Sequence, residues 1–450
     1  MSSSEIHTAK RARKKLFRKL FLKSIWTRLS FYFLLFTIFI AAFAPFIANR
    51  QPLYVTYKGK TYYPAWSTSW VGQNIIGYSK TDTVIYNGKK EIIQFDITDW
   101  RKMDVAYILW PVVPFSPENP DYYNRDYVAP TDKQLVPSPN GKTVEATGKF
   151  RHLLGTDDLG RDVLAGIIHG ARTSLTIGVF SMLLASIIGL TIGLLSGYFG
   201  DDRFKLSWIA VVFFAPAVVA GYFTGFIARS AIIAEAFEAS TLNGLMQFVI
   251  SLLIFIGIPA LCVVLFNLIP VKKIKFPIDS LFSRATEVFN SLPKLLLIIS
   301  LSILFERQSI WLTVIIIGCT SWTEIARLTR AELLKIRELD YIQAAKSLGI
   351  KSRSIMWRHA LPNAMSSVFV TITFGVATAI LMESALSFLG IGVPQDAVTW
   401  GSMLSHGRQE MEAWWLLLYP GLALFLTTLS VNLLGEGLRD ALDPKLKGSK

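Results

Sequence analysis

Long apolar runs recur along this chain, and they limit its fold more than any other feature. Phe31–Ala48 is uninterrupted. At helical rise it reaches across a hydrocarbon core of about 30 Å. Comparable runs follow at about Leu175–Tyr198, Trp208–Ala228, Leu245–Ile269, Ser291–Phe305, Ile310–Ala326, Ser366–Leu386 and Trp414–Leu434. Inside lipid every backbone N–H and C=O needs an internal partner, so such runs must be helices. Eight spans are predicted, an all-α polytopic membrane protein. A composition of 52% hydrophobic residues with mean hydropathy +0.42 excludes an ordinary globular enzyme.

Charge orients these spans. Residues 1–28 hold nine Lys/Arg against Glu5, within a net charge of +14. A basic tail suits nucleic acid, but this one abuts an apolar helix, and anionic lipid with the positive-inside rule accounts for it more simply. Residues 1–29 read as a cytoplasmic tail and 30–49 as an uncleaved first helix, since a secretory signal has a shorter apolar core. Arg327–Arg358 carries eight Lys/Arg and is placed inside. Arg203 and Lys205 before the pair of runs in 205–275, and Lys272, Lys273 and Lys275 after it, fall on the same side. The loop between, with Arg229, Glu235 and Glu238, falls outside. Both termini are then cytoplasmic. Cys262 and Cys319 lie in apolar runs and offer neither a disulfide framework nor metal spacing.

Residues 50–150 are polar, aromatic and proline-containing, and read as a small β-containing extracytoplasmic domain. YVTYKGKTYY alternates like a strand. VIYNGKKEIIQF carries Asn87-Gly88 between alternating runs, a hairpin signal. YILWPVVPFSPENPDYY has too many prolines for regular structure and reads as an extended surface crossing. His152–Leu175 reads as an interfacial helix turning into the second span. Asp157 and Asp158 there suit a capping turn better than a metal or catalytic pair, because no third ligand or nucleophile is near. Gly189, Gly193 and Gly197 repeat every four residues, a face that admits another helix closely.

The polar stretch from Asp340 to Ala364, DYIQAAKSLGIKSRSIMWRHALPNA, reads as helix, sharp turn, helix. Asp340 is placed to cap the first helix with Gln343 completing a capping box. Gly349 follows the last periodic apolar residue, Leu348, where a left-handed cap needs glycine. Ser352 is placed to cap the second helix, and Pro362 to stop it at Leu361. The pair projects from the membrane as a rigid elbow. It resembles the "EAA" loop of permease subunits of binding-protein-dependent ABC importers: Glu-Ala-Ala, three residues, Gly, then Ile-x-Leu-Pro. Ala344, Ala345, Gly349, Leu361 and Pro362 fall at the motif spacing, while Gln343 replaces the Glu and His359 the Ile. Arg358–Asn363 is similar to the dipeptide/oligopeptide (and nickel) branch. So are LGTDxxGRDV within 152–175, the GYFG that closes the second span, ESALSFLGIGVP from Glu383, and Tyr419–Pro444. A WP-x-x-P-x-SP segment like that within 110–117 precedes the core in relatives that import larger peptides.

The resemblance implies a type I ABC importer transmembrane fold over 151–445, with an insert of two extra helices at about 205–275 and the EAA loop at 340–364. It implies Tyr341, Gln343, Ala344, Ala345, Gly349, His359, Leu361, Pro362 and Asn363 as the surface docked by the ATPase. It implies as partners a second homologous permease, two ABC ATPase subunits and an extracytoplasmic binding protein, in a bacterial inner membrane, with peptides or peptide-like solutes carried. A nickel or other non-peptide solute is the alternative on the same fold. An ion-driven secondary transporter is the alternative on another, disfavoured because neither inverted repeats nor several intramembrane ion ligands are found. No GxxxxGK[ST] occurs, so ATP hydrolysis is assigned to partner chains, with no cofactor, metal or catalytic residue here. Glu383 is an intramembrane carboxylate that either lines the path or hydrogen-bonds a neighbouring helix. Glu324 and Arg327 read as snorkelling or paired. Trp400, Trp414 and Trp415 read as interface-belt residues.

Overall fold

The computed structural model describes residues 24–442 except 70, 71, 74–76, 87, 88, 96, 97, 104, 138–142, 202–204, 240, 276, 306, 307, 395 and 396. Most of the basic tail, the Asn87-Gly88 turn and Arg203 lie outside the described residues, as do the side chains of Lys205 and Glu238. The chain divides into two compact units, one of residues 1–190, 290–328 and 362–450, the other of 191–289 and 329–361.

In the first unit, helix α1 (Ile25–Ile47) buries Thr27, Ser30, Leu34, Thr37, Ala41 and Ala44, one face at helical spacing. Leu34 packs with Ala377 and Val431. A small β region follows. YVTYKGKTYY is not one strand but a hairpin, β1 (Tyr54–Tyr57) and β2 (Lys60–Tyr62), with Tyr57 opposite Lys60. Lys58 and Gly59 both have positive φ, 49° and 77°, the turn that matches strand twist. The pattern of alternation runs straight through such a turn, which is why it reads as one strand. β3 (Thr81–Tyr86) and β4 (Lys89–Gln94) pair with Tyr86 opposite Lys89, the register that a two-residue connection sets. β5 (Tyr107–Leu109) pairs with β1, so the proline-rich crossing starts as a strand before it becomes irregular. β6 (Leu135–Pro137) pairs with β7 (Thr143–Glu145). Val55, Tyr57, Tyr62, Ile93, Phe95 and Trp100 form the core of this region.

Helix α2 (Val163–Leu194) rises directly from the loop at His152–Asp162, with no separate interfacial helix. A Cβ on Gly189 would lie 2.8 Å from Ile325 Cβ, so the glycine sets the spacing of two helices. The remaining elements used below are α3 (Trp208–Tyr222), α4 (Ser230–Ala239), α5 (Thr241–Asn267), α6 (Ile278–Ser291), α7 (Lys294–Leu304), α8 (Ile310–Arg337), α9 (Asp340–Ser347), α10 (Ser352–Ile355), α11 (Leu361–Phe388), α12 (Trp400–Gly407) and α13 (Trp415–Leu442). Ile177, Met182, Ala185, Ile298, Ile317 and Ile325 contribute to the largest buried cluster of this unit. Trp400 and Trp415 are not belt residues. Both are buried, and their indole N–H groups donate to the carbonyls of Ile167 at 3.1 Å and Thr156 at 3.0 Å. Trp414 is exposed.

In the second unit, α3 and α5 form a hairpin closed at its base by strands β8 (Lys205–Ser207) and β9 (Lys273–Lys275). The stretch between these helices, read as a loop, is largely the short helix α4. Gly221 of α3 and Gly225 of the π-helical turn that follows it (Phe223–Ile227) let their backbones approach α5: an added Cβ would lie 2.8 Å from Phe255 O and 2.7 Å from Ser251 O respectively.

Among the described residues seven helices are long and apolar enough to cross a membrane, and α6 with α7 form a pair bent by 84°. The expected span Ser291–Phe305 is therefore corrected. Leu292 before Pro293 leaves helical geometry, and the 11 residues of α7 cover only about 16 Å. The pair starts beside Arg330 of α8 and ends a short loop before Ile310, where α8 begins. The count of eight requires this bent pair to act as one span.

Candidate functional site

The elbow is built from α9, a left-handed turn and α10. Asp340 and Gln343 form no capping box. Leu339 is the N-cap, and Gln343 Nε2 instead donates 3.1 Å to the carbonyl of Arg337, at the end of α8. Lys346 Nζ reaches the same oxygen at 3.5 Å. The last carbonyls of a helix lack internal donors, and these two side chains supply them. Gly349 has φ +73°. Its N–H donates to Lys346 O at 3.0 Å and that of Ile350 to Ala345 O at 3.2 Å, the full Schellman pattern expected of glycine here.

Ser352 does not cap α10. Lys351 is its N-cap, and the Ser352 carbonyl accepts from Tyr198 Oη at 3.0 Å. Pro362 does not stop the helix. Met356–Ala360 form a π-helical turn, Leu361 is α-helical with φ −60°, and α11 continues to Phe388. The wide turn accommodates the proline ring and its missing N–H, which a regular turn would not.

Burial divides the elbow into an anchoring and an outward face. Ile342, Ile355 and Ala360 are fully buried. Tyr341, Leu348, Ile350 and Trp357 are exposed, Leu348 at 79%. Gln343, Ala344, Gly349 and His359 are also exposed, as are Pro362 and Asn363 at the start of α11, while Ala345 and Leu361 are half-buried. The elbow thus offers apolar side chains to a partner among the exposed basic residues Lys351, Arg353 and Arg358. Several supporting contacts carry no sequence signal of their own. Arg330 donates through Nε and Nη2 to the two carboxylate oxygens of Asp279, the second at 2.7 Å. Asp201 accepts from Asp279 N at 2.7 Å and from Ser280 Oγ at 2.7 Å. Burial pushes the Asp201 carboxyl up, but the hydroxyl and backbone donors of Ser280 outweigh it and hold it below the usual range.

Glu383 stands apart from the elbow. It is fully buried within the first unit. Ser174 Oγ of α2 donates to its carboxylate at 3.0 Å and Ser387 Oγ at 2.7 Å. In the loop that leads into α2, His152 is fully buried between two carboxylates. Nδ1 lies 2.8 Å from Asp162 and Nε2 3.2 Å from Asp121, with Phe115 stacked at 3.9 Å. Burial lowers the imidazole pKa, but the two carboxylates outweigh it and hold it above the usual histidine value. His152 and Asp162 both belong to the stretch singled out by sequence, whereas Asp121 comes from the proline-rich segment before it. Asp157 is a turn residue as expected, accepting from Arg161 N at 2.8 Å and Arg161 Nε at 2.6 Å. Among the described residues no cluster of three or more His, Cys, Asp or Glu is arranged to hold a metal.

The profile of a family described as "Binding-protein-dependent transport system inner membrane component" matches residues 268–448. This segment contains the elbow, α11 and Glu383. A putative peptide transport system permease protein of Brucella suis biovar 1 is 31% identical over 301 residues, 66% of this chain and 75% of the relative. The chain belongs to this permease family. The dipeptide transport system permease protein DppC of Alkalihalophilus pseudofirmus is 31% identical over 297 residues, 66% of this chain and 73% of the relative. The glutathione transport system permease protein GsiD of Pectobacterium atrosepticum is 32% identical over 299 residues, 66% and 73%. This permease is thus a multi-pass inner-membrane component of a binding-protein-dependent importer, and its all-helical membrane core fits the type I transmembrane fold.

Proposed function

We propose that this permease carries peptides or peptide-like solutes across the inner membrane, driven by ATP hydrolysis on separate subunits docked at the elbow. The observation that carries the reading is the elbow's two-sided burial: Ile342 and Ile355 lock it to its own unit while Leu348, at 79% exposure, and Tyr341 face outward. An isolated helical turn has no reason to hold such apolar groups in water, whereas a partner groove covers them. Tyr341, Gln343, Ala344, Ala345, Gly349, His359, Leu361, Pro362 and Asn363 are the proposed contact set. Gln343 and Ala345 also serve the elbow's own turn and its junction with α8.

Two ATPase subunits, a second related permease and an external binding protein complete the proposed assembly, with both termini in the cytoplasm. Residues 50–150 then lie outside, and the α3–α5 hairpin is an addition to the core at 151–445. Transport follows when ATP-driven closure favours one of two states of the bundle, since only a partner with different affinity for the two states shifts them. Glu383 serves packing in this reading: hydroxyls of α2 and α11 surround its carboxylate. Peptide is proposed as the cargo because the matched relatives are named for peptides, dipeptides and glutathione.

The test is reconstitution of the chain with its genomic neighbours in proteoliposomes, followed by uptake of labelled di- to oligopeptides. ATP-dependent uptake that competes with peptides and not with metal chelates supports the reading. Saturable nucleotide binding by the isolated chain, or uptake driven by an ion gradient without ATP, overturns it.

A further inference from the structure

We propose that the Asp279–Arg330 ion pair is the rigid link that passes movement of the elbow to the bent helix α6. This rests on the reading of the elbow as the ATPase docking element. The link runs through named contacts of the second unit. Gln343 and Lys346 of α9 both bond the Arg337 carbonyl at the end of α8. Arg330 lies seven residues earlier on the same helix, about two turns, a distance over which a helix moves as a rod. Its guanidinium holds both oxygens of Asp279, in the first turn of α6. A two-point fork resists rotation as a single hydrogen bond does not.

The far side of the link is also fixed. Asp201 accepts from the backbone N–H of Asp279 at 2.7 Å and that of Ser280 at 3.2 Å, tying the first turn of α6 to the end of the α2 segment. On that segment Gly197 faces Arg330, and a Cβ there would lie 2.8 Å from Arg330 Cα and O. Arg330 is therefore hemmed by backbone on one side and held by a carboxylate on the other. The pair is only partly screened, with side-chain exposure of 33% and 18%. A static helix cap needs only Asp201. The fork from α8 adds a connection between two helices at the place where α6 leads into the 84° bend.

The experiment uses the complete transporter in proteoliposomes, with peptide uptake and ATP turnover measured together. ATPase retention and melting temperature are measured on the same preparations. Asp279→Asn keeps the shape and the backbone N–H accepted by Asp201. It is expected to lower uptake per ATP about tenfold, with retention and melting temperature unchanged. Arg330→Gln should do the same, Arg330→Lys less, and the swap Asp279→Arg with Arg330→Asp should recover most of the loss. Unchanged uptake per ATP in Asp279→Asn overturns the proposal. So does a fall in melting temperature or ATPase retention that accounts for the lost uptake, or a swap that recovers nothing. Gly349→Asp runs alongside: if it uncouples while Asp279→Asn does not, this proposal alone fails. If neither uncouples, the elbow reading fails with it.

Discussion

Replacing Gly349 separates backbone strain from docking, because the two effects rank the same substitutions differently. Gly349 has φ +73°, and an ideal Cβ built there meets nothing within 4 Å of its own chain. The internal cost of Gly349→Ala is therefore strain alone, about 1 kcal/mol, or roughly fivefold in the population of the correct turn. Asn and Asp tolerate this backbone region better than Ala. Strain by itself thus predicts that Ala is the most harmful of the three. If an ATPase groove covers the turn, the order reverses. Ala adds one methyl group, Asn adds bulk and a polar group to be desolvated, and Asp adds a charge. The expected order of loss in peptide uptake per ATP is Asp, then Asn, then Ala, with Gly349→Asp down about tenfold or more and Gly349→Ala within about fivefold. The assay is paired uptake and ATP turnover in proteoliposomes, with ATPase co-purification as the measure of docking. Wild-type coupling and retention in Gly349→Asp, or a ranking with Ala worst, refutes docking at this turn.

Other consequences follow from the same structure. In a cysteine-free background, Ser230→Cys should react with an impermeant thiol reagent from outside and Lys273→Cys only after permeabilisation; the reverse pattern excludes eight spans with the termini inside. His152 has a raised pKa in the folded chain. Its contribution is thus complete below its unfolded value of about 6.5 and is lost as pH rises through the folded value. Hydrogen exchange in residues 110–134 should accordingly be slower at about pH 6 than at about pH 9 beyond the intrinsic chemical effect, with that difference absent in His152→Gln. Equal protection in both proteins would show that the carboxylates hold the segment without the charge. Glu383→Ala leaves the Ser174 and Ser387 hydroxyls without their acceptor and should cost about 1–3 kcal/mol for each left unsatisfied, read as a lower melting temperature. Glu383→Gln should retain both stability and uptake, and a Gln variant that is stable yet inactive would return Glu383 to the transport path.

The elbow shows how far local reading goes. Its turn at Gly349 was legible because a Schellman motif is made by contiguous residues, and only glycine adopts that backbone freely. Its caps were misread. Asp340 and Ser352 have the right chemistry, but the carbonyl of Arg337 and the hydroxyl of Tyr198 come from elsewhere in the chain and claim Gln343 and the Ser352 carbonyl. Pro362 was misread as a stop because a π turn, invisible in composition, widens the helix before it. The indoles of Trp400 and Trp415 were misplaced for a related reason. Tryptophan suits both a membrane interface and a buried site with an acceptor, and only packing chooses between them.

By itself the sequence determined most of the membrane helices, the pairing of β3 with β4 and the glycine turn. Each rests on the properties of neighbouring residues: apolar length against bilayer thickness, the φ demanded by a short turn, and register. The tertiary structure alone decided which charges meet. Asp279 and Arg330 are 51 residues apart, and Ser174 reaches Glu383 across 209. Such pairs form because packed helices bring their faces together and a poorly solvated charge must find a partner there, a requirement that no spacing along the chain records.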